Sequence, residues 1–198
     1  MARTKAYQEK IVKLILIKEG TYDLEENVLI TCPISIHGAG QDKTILQRHG
    51  IMIQGPKKEK ERVNMQGMTI KGANGRGLYA SHGLSFFCTR MTFTQCESGV
   101  SAYNTKGRLI NCVVTQCRYS GIGCNGNALI ELEGSQTKVH GNVTEEYGSC
   151  FGLKTCDTSS RIHLLFPLTK ESVSTNNGGG GNYGGSGTIE TVNALESL

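Results

Sequence analysis

Five polar or aromatic residues are the strongest candidates for a binding surface in this sequence. They are Tyr79, Ser101, Tyr103, Asn125 and Lys154. Aromatic rings flanked by hydroxyl and amide groups can stack on sugar rings or contact a strand of a partner protein. A simpler interpretation is that the two tyrosines occupy strand positions where aromatic side chains pack well.

Two carboxylates, Glu131 and Glu133, form the clearest acidic pair. They alternate with Ile130 and Leu132, so both are expected to face solvent on one side of a strand. The strand rise places them roughly 7 Å apart, a spacing that could bind a cation or catalyse glycoside cleavage. No acceptor site is evident around them. We therefore interpret the pair as part of a solvated face and predict no catalytic residue.

Two histidines could contribute to a metal site. His49 and His82 each precede a glycine, and they are expected to share one corner of the fold with Lys106 in the next turn. A zinc site also needs cysteine or carboxylate ligands, and none is clearly placed to complete this one. His82 is better explained as a turn residue. We predict no metal and no cofactor.

An internal repeat identifies the elements that position these side chains. A glycine-led segment recurs twice at intervals of 22 residues, and a weaker fourth copy follows. The four copies are Gly77–Ser81, Gly99–Tyr103, Gly121–Asn125 and Gly152–Cys156. Self-similarity at a fixed period of this length predicts a solenoid in which each turn stacks on the one before it.

Alternation along the repeated strand separates an inward from an outward side. The residues predicted to point inward form two columns, Leu78, Val100, Ile122 and Leu153, and Ala80, Ala102, Cys124 and Thr155. The residues predicted to point outward also form two columns, Tyr79, Ser101, Gly123 and Lys154, and Ser81, Tyr103, Asn125 and Cys156. All five candidate binding residues therefore fall on one outward face.

The first part of the chain carries a motif of its own. The pattern I-x-x-G-T-Y-x-L, followed by P-I-S-I-x-G-A-G-x-D-K-T-I-L, lies between Leu14 and Leu46. This pattern, with the repeats from Met65 to Leu165, resembles the right-handed parallel β-helix proteins of the pectin-lyase-like class. Members of that class that act on uronate polymers use carboxylates, often with calcium, and a basic residue. The catalytic signatures of the class are not found in this sequence.

The repeat and the resemblance together predict an all-β fold. We expect a single-stranded right-handed parallel β-helix with three short strands in each turn of about 22 residues. Residues 1–10 are predicted to be a lead-in, 11–175 the β-helix, 176–187 a flexible Gly/Asn-rich segment, and 188–198 a terminal strand or tail. The Phe166-Pro167 pair is expected to end the regular stack, because proline cannot donate a ladder hydrogen bond.

Composition and charge exclude several classes of function. The chain has 198 residues and a formal net charge of +4, and its basic residues are spread along it. The sequence has no basic stripe of the kind that binds nucleic acid, so we predict no nucleic-acid partner. No apolar run approaches the roughly 18 residues needed to span a bilayer, so we predict no membrane association. Eight cysteines without a secretory signal favour reduced thiols and a cytoplasmic location.

One pair of cysteines could still form a disulfide. The triplet Thr-Gln-Cys occurs twice, 21 residues apart, and places Cys96 and Cys117 in adjacent turns. The turn spacing of about 4.8 Å lies within the roughly 4.4–6.8 Å that separate the Cα atoms of a disulfide. Buried thiols that act as small apolar side chains are the alternative, and we favour it.

Two functional hypotheses remain. The first is a non-catalytic β-helix module that binds an extended ligand, a carbohydrate or a protein, on the outward face of the repeated strand. The second is a polysaccharide-active enzyme, a lyase, hydrolase or epimerase, which only the resemblance to the pectin-lyase-like class suggests. The enzyme hypothesis predicts at least three acidic or basic side chains converging on one groove. We favour the binding module.

Overall fold

The computed structural model describes residues 13–57, 61–145 and 148–193. The predicted lead-in, residues 1–10, lies outside the described residues. In chain order the strands are β1 (Leu14–Leu16), β2 (Gly20–Asp23), β3 (Val28–Ile30), β4 (Ser35–His37), β5 (Thr44–Gln47), β6 (Ile51–Gln54), β7 (Val63–Lys71), β8 (Arg76–Ser81), β9 (Phe86–Thr94), β10 (Ser98–Tyr103), β11 (Lys106–Ile110), β12 (Val113–Thr115), β13 (Ile122–Asn125), β14 (Leu129–Glu133), β15 (Lys138–His140), β16 (Leu153–Thr155), β17 (Arg161–Leu165), β18 (Ser174–Thr175), β19 (Tyr183–Gly185) and β20 (Thr188–Val192). A short helix, α1 (Lys170–Val173), precedes β18.

These strands wind into three parallel faces. Face A consists of β1, β4, the first halves of β7 and β9, β11, β14, β17 and β20. Face B consists of β2, β5, the second halves of β7 and β9, β12, β15 and β18. Face C consists of β3, β6, β8, β10, β13, β16 and β19. The molecule is therefore a parallel β-helix of about eight turns with roughly 22 residues per turn, as predicted.

The strand register confirms the predicted inward columns. Val100 of β10 pairs with Leu78 of β8 on one side and with Ile122 of β13 on the other. All three side chains are fully buried. The smaller column behaves in the same way, since Ala102 pairs with Ala80 and is also buried. Burying an aliphatic side chain of this size contributes about 1.5–3 kcal/mol to folding, so stacking turns supplies the core that one turn lacks.

One residue of the predicted outward columns is buried instead. Ser81, the last residue of β8, is fully buried. Its hydroxyl is hydrogen-bonded to His82 Nδ1 at 2.9 Å, and the rings of His82 and Tyr103 lie edge to face, 6.1 Å apart. The prediction was wrong here because the chain turns immediately after Ser81, and the turn covers the end of the strand.

The bend from face B to face C uses a residue with positive φ after every face B strand from β5 onward. The residues at this bend are Arg48, Gly72, Gln95, Gln116, Gly141 and Asn176. After the later bends comes an inward-facing position that we call the corner ladder, occupied by Cys96, Cys117, Asn142 and Asn177. At this position the asparagine side chains donate to carbonyls of the preceding turn, Asn142 to Val114 O and Asn177 to Val139 O. Cys96 Sγ lies 3.8 Å from Ile70 O of the preceding turn, so the ladder ties neighbouring turns together.

Close packing at this corner explains why glycine leads each repeated strand. A Cβ atom at Gly99 would lie 2.3 Å from Val114 Cγ1 and 2.5 Å from Gly121 O. A Cβ atom at Gly121 would lie 2.8 Å from the side-chain nitrogen of Asn142. Any larger residue would push against backbone atoms, so the repeat of glycine reflects close approach between turns.

The stack continues past Pro167, contrary to the prediction. Pro167 lies in the connection between β17 and α1, where no ladder hydrogen bond is required, and α1, β18, β19 and β20 then complete a further turn. Within the segment 176–187, predicted to be flexible, β19 pairs with β16. The possible terminal strand is β20, which extends face A.

Among the described residues no helix has the length and apolar character needed to cross a membrane.

Candidate functional site

The structure brings the five predicted binding residues together on face C. Tyr79 pairs with Ser101, and Ser101 pairs with Gly123. Gly123 in turn pairs with Lys154, which completes the first outward column. Tyr103 and Asn125 are paired in the second column, two residues further along the same strands. One surface across β8, β10, β13 and β16 therefore presents all of them.

The first outward column has small residues, Ser101 and Gly123, at its middle, and we call the gap that they leave between Tyr79 and Lys154 the trough. Ser101 and Gly123 form its floor, and a Cβ atom added at Gly123 would meet only Ser101 Oγ, at 3.8 Å. Tyr79 and Lys154 stand at opposite ends, three strand spacings apart, which corresponds to about 14 Å at ~4.8 Å per strand.

Neighbouring side chains hold the two tyrosines in place. The guanidinium of Arg76 lies 4.6 Å from the centroid of the Tyr79 ring, a cation–π arrangement. The Tyr103 ring packs against His82, and a Cβ atom at Gly126 would lie 3.3 Å from Tyr103 Cε2. Tyr103 still has 36% of its surface exposed. Pre-positioned rings lose little conformational entropy when a ligand stacks on them.

Two cations border the trough, and the carboxylate of Asp157 lies at its edge. Arg76 and Lys154 border it, whereas neither outward column contains a carboxylate within the described strands of face C. Gly126 N–H donates to both Asn125 Oδ1, at 2.7 Å, and Asp157 Oδ2, at 2.5 Å, which holds the Asn125 amide at the edge of the trough. Charge and hydrogen-bonding groups together favour a ligand with acidic and hydroxyl groups.

The proposed grouping of two histidines is wrong. Ile51 pairs with Leu78, so His49, which precedes β6, lies level with Arg76 at the start of face C. His82 follows β8 and lies at the other end of that face. The two His-Gly pairs look equivalent in the sequence, but the strand register does not align them. No cluster of three or more metal-ligating side chains occurs among residues 13–57, 61–145 and 148–193.

A second group of side chains, on face A, was missed by the sequence analysis. Its outward column contains Phe87, Arg108, Glu131, His163 and Glu190, each paired with the next. The two glutamates were considered only as neighbours along β14. Writing the face A strands in register would have found this column, because Arg108 and His163 lie one turn before and one turn after Glu131.

The prediction that Glu131 faces solvent is wrong. Its residue surface is 7% exposed, because Arg108 and His163 flank it in the adjacent turns. Arg108 donates from Nη2 and Nε to Glu131 Oε2, at 2.7 and 2.8 Å, and its Nη1 lies 3.5 Å from Glu133 Oε2. A guanidinium held between two carboxylates ties β11 to β14 from outside the core.

The half of this column that follows Arg108, from Glu131 to Glu190, carries unpartnered polar atoms. Glu131 Oε1 and His163 Nδ1 are buried and have no hydrogen-bond partner within the described part of the chain. His163 Nε2 lies 3.6 Å from Glu190 Oε1. The column begins with the aromatic ring of Phe87, whose centroid lies 4.0 Å from the guanidinium of Arg62. Acidic and basic side chains therefore do converge on one face, although Glu131 already uses one oxygen to bind Arg108.

No family model, curated protein or solved structure matches this chain.

Proposed function

We propose that the protein is a non-catalytic β-helix module that binds an extended ligand on face C, with an acidic carbohydrate as the preferred class and a protein strand as the alternative. The observation that carries the proposal is the open trough floored by Ser101 and Gly123 between Tyr79 and Lys154. A pyranose ring laid on a fixed tyrosine ring gains from apolar contact. The carboxylates of a uronate chain would pair with the bordering cations.

The regular spacing of the turns favours an extended ligand over a compact one. Equivalent positions recur at about 4.8 Å along face C, so the surface is long and flat. Tyr79, Tyr103 and the hydroxyl and amide groups between them are spread over several turns. A polymer could contact more than one of these positions at once, whereas a small molecule would lie on an open surface with few enclosing walls.

The binding test compares two variants of the trough with a matched control. In Y79A/Y103A the two rings are removed, and the affinity for the best glycan on an array of acidic and neutral oligosaccharides should fall about tenfold or more. In G123V the added side chain fills the trough, and the same loss is expected while the melting temperature is retained. Tyr22 on face B is 37% exposed, so Y22A should leave binding unchanged.

Two results would reject the proposal. One is that the unmodified protein binds no glycan on the array and captures no extended peptide. The other is that Y79A/Y103A and G123V bind as tightly as the unmodified protein, which would place the ligand elsewhere. Binding of peptides but not glycans would favour the protein strand as ligand.

A polysaccharide-active enzyme is the second candidate function, and the face A column favours it. Arg108, Glu131, His163 and Glu190 supply acidic and basic groups in one line. A lyase acting on uronate polymers creates a conjugated double bond, so its activity is measured by ultraviolet absorbance. Activity that is lost in H163A and retained in Y79A/Y103A would support the enzyme hypothesis over the binding module.

A further inference from the structure

Cys96 and Cys117 lie one turn apart in the corner ladder. The adjacent backbones are paired on both sides of the two residues. Gln95 N–H donates to Thr115 O at 3.3 Å, and Arg118 N–H donates to Cys96 O at 2.9 Å. Parallel strands paired in this way hold neighbouring Cα atoms about 4.8 Å apart, inside the roughly 4.4–6.8 Å range found in disulfides. Both side chains point into the same corner.

The corner ladder also links the two turns that follow Cys117. Asn142 Oδ1 accepts a hydrogen bond from Cys117 N–H at 3.0 Å, and Asn177 Oδ1 accepts one from Asn142 N–H at 3.0 Å. In the turns that carry cysteine, the thiols contact backbone carbonyls instead, with Cys96 Sγ 3.4 Å from Thr94 O. The same position can therefore join turns by hydrogen bonds where it holds asparagine and by a covalent bond where it holds cysteine.

We propose that Cys96 and Cys117 form a disulfide when the protein meets hydrogen peroxide, which makes the corner ladder a redox modification site. The Cys96 thiolate attacks one peroxide oxygen, the O–O bond breaks, and the hydroxide that leaves takes a proton to become water. The Cys117 sulfur then attacks the resulting sulfenic acid, the S–S bond forms, and the S–O bond breaks with release of a second water. Two thiols are oxidised and one peroxide is reduced to two waters.

The two thiols differ in their readiness to ionise. A hydrogen bond from the Cys117 thiol lowers the pKa of Cys96, although burial acts in the opposite direction. The same interaction raises the pKa of Cys117. Because the thiolate is the nucleophile in thiol oxidation, Cys96 is the residue that attacks peroxide, and Cys117 then resolves the sulfenic acid.

The pair lies only one layer beneath the surface. Cys96 is buried between Gln95 and Glu97, both of which are exposed, and Cys117 is buried between the exposed residues Gln116 and Arg118. Peroxide is little larger than water, so a small local opening of this corner is enough for it to reach the sulfur atoms. In a reducing compartment such a disulfide would be transient and serve as a sensor rather than as a permanent link.

The molecule contains its own control pair. Cys112 Sγ lies 3.3 Å from Cys88 O, so these two cysteines are also close and buried. They are not register partners, because Cys88 pairs with Leu109. Burial raises the pKa of both thiols, that of Cys112 to about 12. This pair should therefore not link under conditions that link Cys96 to Cys117.

The test is peptide mapping of the native protein after treatment with hydrogen peroxide and blocking of the remaining thiols. Trypsin releases Cys96 in the peptide 91–106, Cys117 in 109–118 and Cys88 in 77–90. The expected product is 91–106 joined to 109–118, about 2 Da lighter than the sum of the two peptides. Repeating the experiment with C112S shows that Cys117, and not Cys112 in the same peptide, carries the link.

Two serine variants test the order of the steps, because a serine hydroxyl can still donate a hydrogen bond to the ladder carbonyls. In C117S, the sulfenic acid at Cys96 should accumulate and be trapped by dimedone. In C96S, neither the link nor an adduct at Cys117 should form. The proposal is overturned if 77–90 links to 109–118 as fast as 91–106 does, or if no link forms although exposed Cys32 is oxidised in the same sample.

Discussion

Replacing Gly99 with alanine would place a methyl group where two turns already touch. The new Cβ atom would lie 2.3 Å from Val114 Cγ1 and 2.5 Å from Gly121 O. A side-chain methyl can rotate away, but the carbonyl belongs to the backbone ladder of β10 and β13 and cannot move without breaking it. Overpacking of this kind costs typically about 1–3 kcal/mol, and contact with backbone puts G99A at the upper end.

The expected effect can be measured by thermal unfolding. For a chain of this size, each kcal/mol lowers the melting temperature by roughly 2–4 °C, so a loss of about 3 kcal/mol lowers it by about 6–12 °C. Circular dichroism of the β signal during heating, at one scan rate for all variants, gives the comparison. The variant should remain a β-helix at low temperature, since only one corner is strained.

Gly123 provides the matched control. It lies in the middle of β13 on the outward side, and an added Cβ atom has only Ser101 Oγ near it, at 3.8 Å. G123A should therefore change stability little or raise it by about 0.4–1 kcal/mol, because alanine restricts the unfolded chain. If G99A melts at the temperature of G123A, close packing of the turns is not the reason for the repeated glycine.

Three further predictions concern side chains away from the face C trough. N142A removes the acceptor for Cys117 N–H, and leaving this buried group unpaired should cost about 1–3 kcal/mol in chemical denaturation; a loss below about 0.5 kcal/mol would contradict the role of the ladder. E131Q removes the charge that binds Arg108 at 2.7 Å and should also lower the free energy of unfolding by about 1–3 kcal/mol. In R108M/E131Q the unpaired guanidinium is gone as well, so this loss should be smaller. Equal losses in the two variants would contradict the pairing. Burial raises the pKa of the Cys112 thiol to about 12, so native Cys112 should resist alkylation at pH 8 while exposed Cys32 reacts. Because the unfolded thiol ionises near pH 8.5, the free energy of unfolding should fall as the pH rises above that value. A free energy of unfolding that does not change up to pH 10 in the unmodified protein would contradict the assignment.

Much of the fold could be predicted because the repeat restates the same physical requirement in every turn. Leu78, Val100 and Ile122 occupy one position of a 22-residue period, and alternation along the strand sends all three inward. The number of turns was harder to predict. Pro167 was interpreted as the end of the stack, but a proline interrupts a ladder only where its nitrogen would have to donate, and this one lies in a connection.

The candidate site could be predicted as a set of residues but not as a shape. Alternation placed Tyr79, Ser101 and Lys154 on one outward face, and the register confirms that they share it. The trough depends on Gly123, whose missing side chain leaves the space open. Alternation places this glycine on the same side of the strand as Gly121, which has no space at all, and only the neighbouring turns decide which of the two faces a void.

The direction of most side chains can be read from the amino-acid order alone, since a strand alternates its two sides whatever surrounds it. The tertiary structure decided which outward side chains are exposed. Ser81 points outward by alternation and is buried by the turn that follows it, and Glu131 is buried between Arg108 and His163. Direction is a local property of the backbone, whereas the burial of Glu131 depends on side chains in the two adjacent turns, more than twenty residues away in the sequence.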